Sequence, residues 1–426
     1  MKKQKPFQWS RLDNAAKIFP PSSTPRDPKV FRFLCELNEE VQPDALQAAL
    51  DQTLRQFPLY RAVLKKGLFW YYLEDSAREP KVEPETQAPL TMLYRGEGRD
   101  LLFRVTWYRR RINLEVYHAL SDGTGALHFL RMLVYHYLLI VHGEDFPDGP
   151  PPIAYDASHT QQMDDSFAKY SGSGKKAPMH RSPHAYHLHG DLLPVGDLSI
   201  IEGNLPLRPL LAAAKARGTT LTVFLAAVLV KAIHGQMSMR DQRRPVVVSV
   251  PVNLRNYFPS ETARNFFSVL NVSYDFTKGD GSLEDIIRKL SGDLKENLTE
   301  EKLSQKLNRL AALEQAMLVR VIPLFIKKPI LRFSHWMAEH EVTAAFSNIG
   351  PVDMPEALRP RIRLFEAFLS TKRMQATMAS FGEHFIIAFT TPFVSTEVQR
   401  GFFRILSDMG LCATITTNEP DPEEAD

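Results

Sequence analysis

The sequence predicts an α+β fold in two domains, and three observations carry that expectation. A chain of 426 residues is too long for one ordinary core. Candidate helices and antiparallel-type strands mix in both halves, without the regular strand–helix–strand repeat of a parallel sheet. Between the halves, periodicity fades over residues 145–196, a stretch that holds Pro150-Pro151-Pro152 and Ser171-Gly172-Ser173-Gly174 and reads as a crossover. We therefore expect a first domain over residues 1–190 and a second over 191–426.

The elements follow from local patterns. Pro43-Asp44 followed by Ala45, Ala48, Leu50 and Leu54 predicts a helix that Pro58 ends. The aromatic run 68–73 reads as a strand. Residues 101–108 and 112–118 predict a hairpin around Arg109-Arg110-Arg111, with Ile112, Leu114, Val116 and His118 on one face. Ser121 to Gly125 forms a loop of small residues with N-cap chemistry, and helical spacing resumes from Ala126 to Leu138. In the second half, residues 207–217 and 220–234 read as helices, and Ser282-Leu283-Glu284-Asp285 opens another. Residues 245–252 are apolar on both faces, as a buried strand is; 268–276, 343–348 and 384–391 are further strands.

Bulk properties exclude several classes. The net charge of +3 supplies no field for nucleic acid. Cys35 and Cys412 are the only two cysteines, too few for a disulfide framework or a cysteine metal site. The basic start, Met1-Lys2-Lys3-Gln4-Lys5-Pro6, has no apolar stretch behind it, so no secretory signal is read. The segment 318–337 carries Phe325, Ile330, Phe333 and Trp336, but its apolar tract Val321 to Phe333, broken by Lys327 and Lys328, is too short and too charged to span a bilayer. We read it as an amphipathic helix pair covering the core, in preference to a membrane-surface element or an acyl-pocket lining. A cytoplasmic protein is the resulting expectation. His180, His184, His187 and His189 lack interleaved acidic or cysteine ligands, so no metal site is expected. Arg109 to Arg111 and Arg243-Arg244 read as solvated turns rather than phosphate contacts, and Gly123-Thr124-Gly125 lacks the rest of a phosphate-binding fingerprint.

One constellation carries chemistry. His118 leaves a strand just before Asp122-Gly123 and a helix. A neutral imidazole there suits a general base near pH 7, Asp122 can hold the loop through an arginine, and the Gly123 N–H can face an oxyanion. On strand phase alone, a histidine in this place is more often a satisfied core residue.

Long-range similarity changes the balance. His118-Ala119-Leu120-Ser121-Asp122-Gly123 resembles the HxxxDG motif of the thioester-dependent acyltransferase superfamily. That superfamily includes chloramphenicol acetyltransferase, peptide-synthetase condensation domains, alcohol acetyltransferases and plant acyltransferases. Arg11 to Ala16, Pro43 to Leu46, Pro58 to Arg61, Thr219 to Ile233, Val250 to Arg255 and Phe346 to Val352 resemble further stretches of it.

The resemblance implies two chloramphenicol-acetyltransferase-like α/β sandwich domains, with largely antiparallel or mixed sheets and an interdomain channel. It implies His118 as general base and Asp122 as a structural residue paired with an arginine, for which Arg255 is the candidate. Asn348 is expected to shape a strand end beside the channel. Acyl-CoA or an acyl-carrier thioester would be co-substrate, with no permanently bound cofactor. A small molecule bearing a hydroxyl or amine would be acceptor, and an acyl carrier protein is an alternative source of donor. Tyr117 stands where peptide-forming condensation domains usually carry a second histidine, which favours a free-standing acyltransferase. A stand-alone, amide-forming condensation enzyme and a non-catalytic carrier-docking module remain the alternatives.

Overall fold

The computed structural model describes residues 9–96, 98–153, 159–162, 164–172, 174, 184–315 and 321–419; Met1 to Pro6 and His180 fall outside them. Three sheets organise the described residues. The small one holds β1 (Trp9–Arg11), β3 (Ala62–Lys66) and β4 (Tyr71–Asp75). The aromatic run expected as a strand begins one only at Tyr71, because residues 68–70 form the bend between β3 and β4.

A five-stranded sheet contains β2 (Val30–Leu37), β5 (Val82–Pro84), β6 (Phe103–Tyr108), β7 (Arg111–Tyr117) and β12 (Ile362–Leu369), in the order β12-β2-β7-β6-β5. The β6–β7 hairpin turns through Arg109, which takes a φ of 49°. Helices α1 (Pro43–Gln56) and α2 (Gly123–His142) belong to the same core as this sheet. The 123–145 helical stretch is long and apolar enough to cross a membrane by length and composition, yet 67% of its most apolar 18-residue window is buried in the protein. Its all-round hydrophobicity is that of a helix packed on several sides.

The seven-stranded sheet is mixed. It contains β8 (Ser199–Pro206), β9 (Val246–Asn253), β10 (Phe267–Tyr274), β11 (Ala344–Pro351), β13 (Met374–Phe381), β14 (His384–Thr391) and β15 (Thr414–Thr417). Their order is β10-β9-β11-β13-β14-β8-β15, with β11 parallel to both neighbours and every other pair antiparallel. Helices α3 (Leu207–Ala216), α4 (Leu221–His234), α5 (Leu283–Asn297) and α8 (Glu397–Asp408) build the second core. Thr220 and Ser282 cap α4 and α5 by accepting the Val223 and Asp285 N–H groups. Two further helices, α6 (Glu300–Gln315) and α7 (Leu324–His340), lie outside that core.

The chain passes between sheets late. After β11 it donates β12 to the first sheet, where Phe365 faces Cys35 across an antiparallel pair with β2. It then returns to the second sheet with β13. The first sheet therefore draws on residues from both sides of position 190.

Two expectations are corrected. Arg111 is not a solvated turn residue: it pairs with Glu36 on β2 at 3.0 Å and Glu202 on β8 at 3.3 Å, tying the two large sheets together. Nor does α7 cover the core as an ordinary amphipathic helix. Its inward side buries Leu324 and Lys327, while Phe325, Ile330, Phe333 and Trp336 face outward.

Candidate active site

The site forms where β7 ends against the loop that precedes β10. His118 follows the last β7 residue, and its N–H donates to the Lys29 carbonyl at 2.9 Å. Its half-buried ring stacks on Phe19 with centroids 4.4 Å apart and meets Phe31 edge-on at 5.0 Å. Phe267, the first residue of β10, closes another side at 5.6 Å. These rings remove water from the imidazole, and burial accordingly pulls its pKa below the ordinary 6.5. The Asp122 carboxylate and a bond from Asn265 oppose that shift without reversing it. His118 is thus neutral near pH 7, as a base must be.

A relay through Asn265 assigns the tautomer. Asn265 is fully buried, and its Nδ2 donates to Asp13 Oδ2 at 3.3 Å. Its Oδ1 then faces His118 Nδ1 at 3.2 Å, which makes Nδ1 the donor. The lone pair is left on Nε2. Burial pushes the Asp13 carboxyl up to about 6, against the lowering effects of Arg264, the Ala16 N–H and Asn265. At pH 7 it is mostly ionised and accepts the amide. Asp13 also receives the Ala16 N–H at 2.7 Å, fixing the helical turn that leads into Phe19. One carboxylate therefore sets both the His118 tautomer and the segment whose ring stacks on it.

Asp122 plays a different part. It caps α2 by accepting the Gly125 N–H at 2.9 Å. Arg255 grips the same carboxylate with two parallel bonds, Nη1 to Oδ2 at 2.8 Å and Nη2 to Oδ1 at 3.2 Å. The Phe266 N–H donates to Oδ2 at 2.8 Å. Arg255 also donates to the Thr262 and Arg264 carbonyls at 2.8 and 2.7 Å, so it holds the loop that carries Asn265. Asp122 and Arg255 are both nearly inaccessible, and neither bonds the His118 ring.

Glycine is demanded at Gly125 rather than Gly123. A Cβ on Gly123 would meet Ile349 and Phe33 at ordinary contact distances of 3.6 and 3.7 Å. On Gly125 it would stand 2.2 Å from the Ala263 carbonyl oxygen and 2.3 Å from Ser121 Oγ. Ser121 Oγ donates to that carbonyl at 2.5 Å, so the start of α2 lies directly on the loop. The Gly123 N–H is in the first turn of α2, where backbone donors have no partner within the helix. Gly125→Ala is expected to cost about 1–3 kcal/mol by overpacking, although alanine is the better helix former by about 1 kcal/mol. A denaturant midpoint at or above that of the unsubstituted protein would refute this reading.

Asn348 stands apart from the His118 relay. It lies at a bulge of β11, where its Oδ1 accepts the Gly350 N–H at 2.8 Å and its Nδ2 donates to Thr222 Oγ1 of α4 at 2.8 Å. Gly350 takes a φ of 86°, and the bulge sets Ile349 against Gly123. Tyr117 is fully buried, bonded to Ser23 and stacked on Tyr94. Among the described residues no group of three or more histidine, cysteine or acidic side chains could hold a metal ion. His187 bonds the His340 carbonyl instead.

Asn265 and Asp13 were not singled out as site residues by sequence reasoning. Asp13 lies within the resembling stretch Arg11 to Ala16, the only signal that pointed near it.

No protein-family model and no curated protein matches the sequence. Solved structures do match over nearly the whole chain. Polyketide synthase associated protein 5 from Mycobacterium tuberculosis superposes with a TM-score of 0.61 at 15% identity, over 93% of this chain and 96% of that one. Trichothecene 15-O-acetyltransferase from Fusarium sporotrichioides gives 0.60 at 11%, over 95% and 98%. A variant of the starter condensation domain of rhizomide synthetase, solved with C8-CoA, gives 0.60 at 13%, over 95% of each. The chain has the fold of the CoA-dependent acyltransferases. Within this acyltransferase fold, the mixed sheets and helical layers described above are the expected α+β architecture.

Proposed function

We propose that this chain transfers an acyl group from a thioester, acyl-CoA or carrier-bound, to a hydroxyl or amine acceptor. The observation that carries the reading is the Asp13–Asn265–His118 relay, which leaves a neutral imidazole with its lone pair on Nε2. Nε2 takes the acceptor's proton as the acceptor oxygen or nitrogen attacks the thioester carbonyl. The tetrahedral intermediate collapses with cleavage of the C–S bond, and the imidazolium returns its proton to the departing thiolate. The Gly123 N–H, in the first turn of α2, offsets the oxyanion's charge in this reading. Asp122 and Arg255 act by holding the loop.

An O- or N-acyltransferase acting on a free small molecule is preferred to an amide-forming condensation enzyme. Tyr117 is locked by Ser23 and Tyr94, so no second base adjoins His118 in the strand. A cytoplasmic setting accords with this reading, as do two separate cores, the first of which takes in Ile200, Ala263 and the β12 residues as well as the first half of the chain.

The test is release of free thiol from a panel of acyl-CoA donors, with and without hydroxyl and amine acceptors. Acceptor-dependent release with the acylated product in the mass spectrum is expected; none across the panel refutes the proposal. The rate should fall on acidification from pH 8, with its midpoint below 6.5 because burial lowers the His118 pKa from that value, and Asp13, pushed up to about 6, takes its own proton over the same range. The sign for stability is the same for His118. Below 6.5 the unfolded chain accepts its proton more readily than the folded one, so acid weakens the fold. A rate that rose on acidification would exclude His118 as base.

A further inference from the structure

The segment 324–340 is built inside out. At 100° per residue, Phe325, Ile326, Ile330, Phe333, Trp336 and Met337 of α7 fall within an arc of about 140°. That arc points away from the protein: Phe325 is 69% exposed, Phe333 59% and Trp336 52%. The opposite side holds the charge. Lys327 is 4% exposed, lies 3.6 Å over the Trp70 ring and donates to the Phe69 carbonyl. Glu339 faces inward to Lys29 and His335. A helix that merely covered a core would show the reverse.

The apolar surface continues beyond the helix. Leu68 and Phe69, in the bend between β3 and β4, are exposed beside it, and the Leu68 carbonyl accepts the Leu324 N–H at 2.8 Å. Basic side chains edge this surface. Lys66 and Arg332 are exposed, Lys328 is half-buried between them, and both lie close enough to Lys328 to lower its pKa, after burial. An exposed apolar face of this extent marks an interaction surface.

We propose that the outer face of α7, with the bend at Leu68 and Phe69, docks on the surface of an anionic lipid bilayer. Bulky aromatic and aliphatic side chains with a lysine and arginine border are the composition of a helix lying in the interfacial plane. The border decides between lipid and a second copy of this chain. Two-fold pairing would bring two copies of the cationic border of Lys66, Lys328 and Arg332 into one interface, whereas anionic headgroups complement a single copy. The docked helix also borders the site, because Arg332 donates to the Pro21 carbonyl at 2.6 Å, two residues from the ring that stacks on His118.

The test is cosedimentation of the full chain with vesicles of phosphatidylcholine alone, or with about one-third phosphatidylglycerol. Binding to the anionic vesicles is expected, at least ten-fold tighter than to the neutral ones and weakened by added salt. Trp336 emission should shift to the blue on binding, and Trp336→Phe should remove that shift. Phe333→Glu combined with Trp336→Glu should lower the partition at least ten-fold with the melting temperature unchanged, since both side chains are exposed. Lys66→Glu with Lys328→Glu should abolish the preference for anionic lipid. His118→Ala should bind as the unsubstituted protein does, which separates this result from the acyl-transfer reading. The proposal is overturned if neither vesicle binds, if both bind equally, or if the Phe333→Glu, Trp336→Glu protein binds undiminished. A dimer in light scattering that those substitutions split, without vesicle binding, would assign the face to a second copy instead.

Discussion

His118→Ala is expected to lower kcat/KM by about 10²–10⁴-fold, the range a positioned general base contributes. The loss should fall on kcat rather than KM, because Nε2 acts on a proton in flight and not on the bound ground state. Folding should survive. The ring's neighbours Phe19, Phe31 and Phe267 remain, and deleting a half-buried imidazole among them costs about 1–2 kcal/mol. Added imidazole should restore part of the rate by occupying the vacated space. Turnover by His118→Ala within three-fold of the unsubstituted enzyme would remove His118 from the mechanism.

Arg255→Ala is expected to be the most destabilising single change at the site, at about 3–5 kcal/mol. The substitution strips a bidentate partner from a carboxylate that stays buried, and it leaves the Thr262 and Arg264 carbonyls without their donor. Turnover should fall as well, because the loop that presents Asn265 to His118 loses its anchor. Arg255→Lys should recover little, since an ammonium cannot reproduce the two-pronged grip. The check is a double-mutant cycle with Asp122→Ala, read by denaturant unfolding. A coupling energy of about 1.5–3 kcal/mol is expected for groups in direct contact; simple additivity would show that the two side chains act independently.

Much of this was legible in the sequence, for reasons that also mark where legibility ends. Ile112, Leu114 and Val116 gave the β7 phase, the loop Ser121 to Gly125 the approach to α2, and Thr220 and Ser282 the starts of α4 and α5, because each signal is local. Arg255 was reachable only through resemblance, and the structure places it on Asp122. Asn265 and Asp13 left no local trace. Their bonds join residues 147 and 252 positions apart, and nothing in a window of a dozen residues records such a pairing. The need for glycine at Gly125 was not legible, since sequence shows a small residue but not the Ala263 carbonyl that faces it. For α7, periodicity revealed two unlike faces without saying which of them the protein would turn outward.

The late return of β12 to the first sheet also bears on how the chain is made. Ile362 pairs with Leu37, 325 positions earlier. At a synthesis rate of about 5–20 residues per second, β2 waits roughly 15–65 seconds for this neighbour. Until then the run Val30-Phe31-Arg32-Phe33-Leu34-Cys35-Glu36-Leu37 has an open edge, the kind of strand that pairs with whatever is nearest. The nascent first half is therefore an incomplete folding unit until the last sixth of the chain emerges.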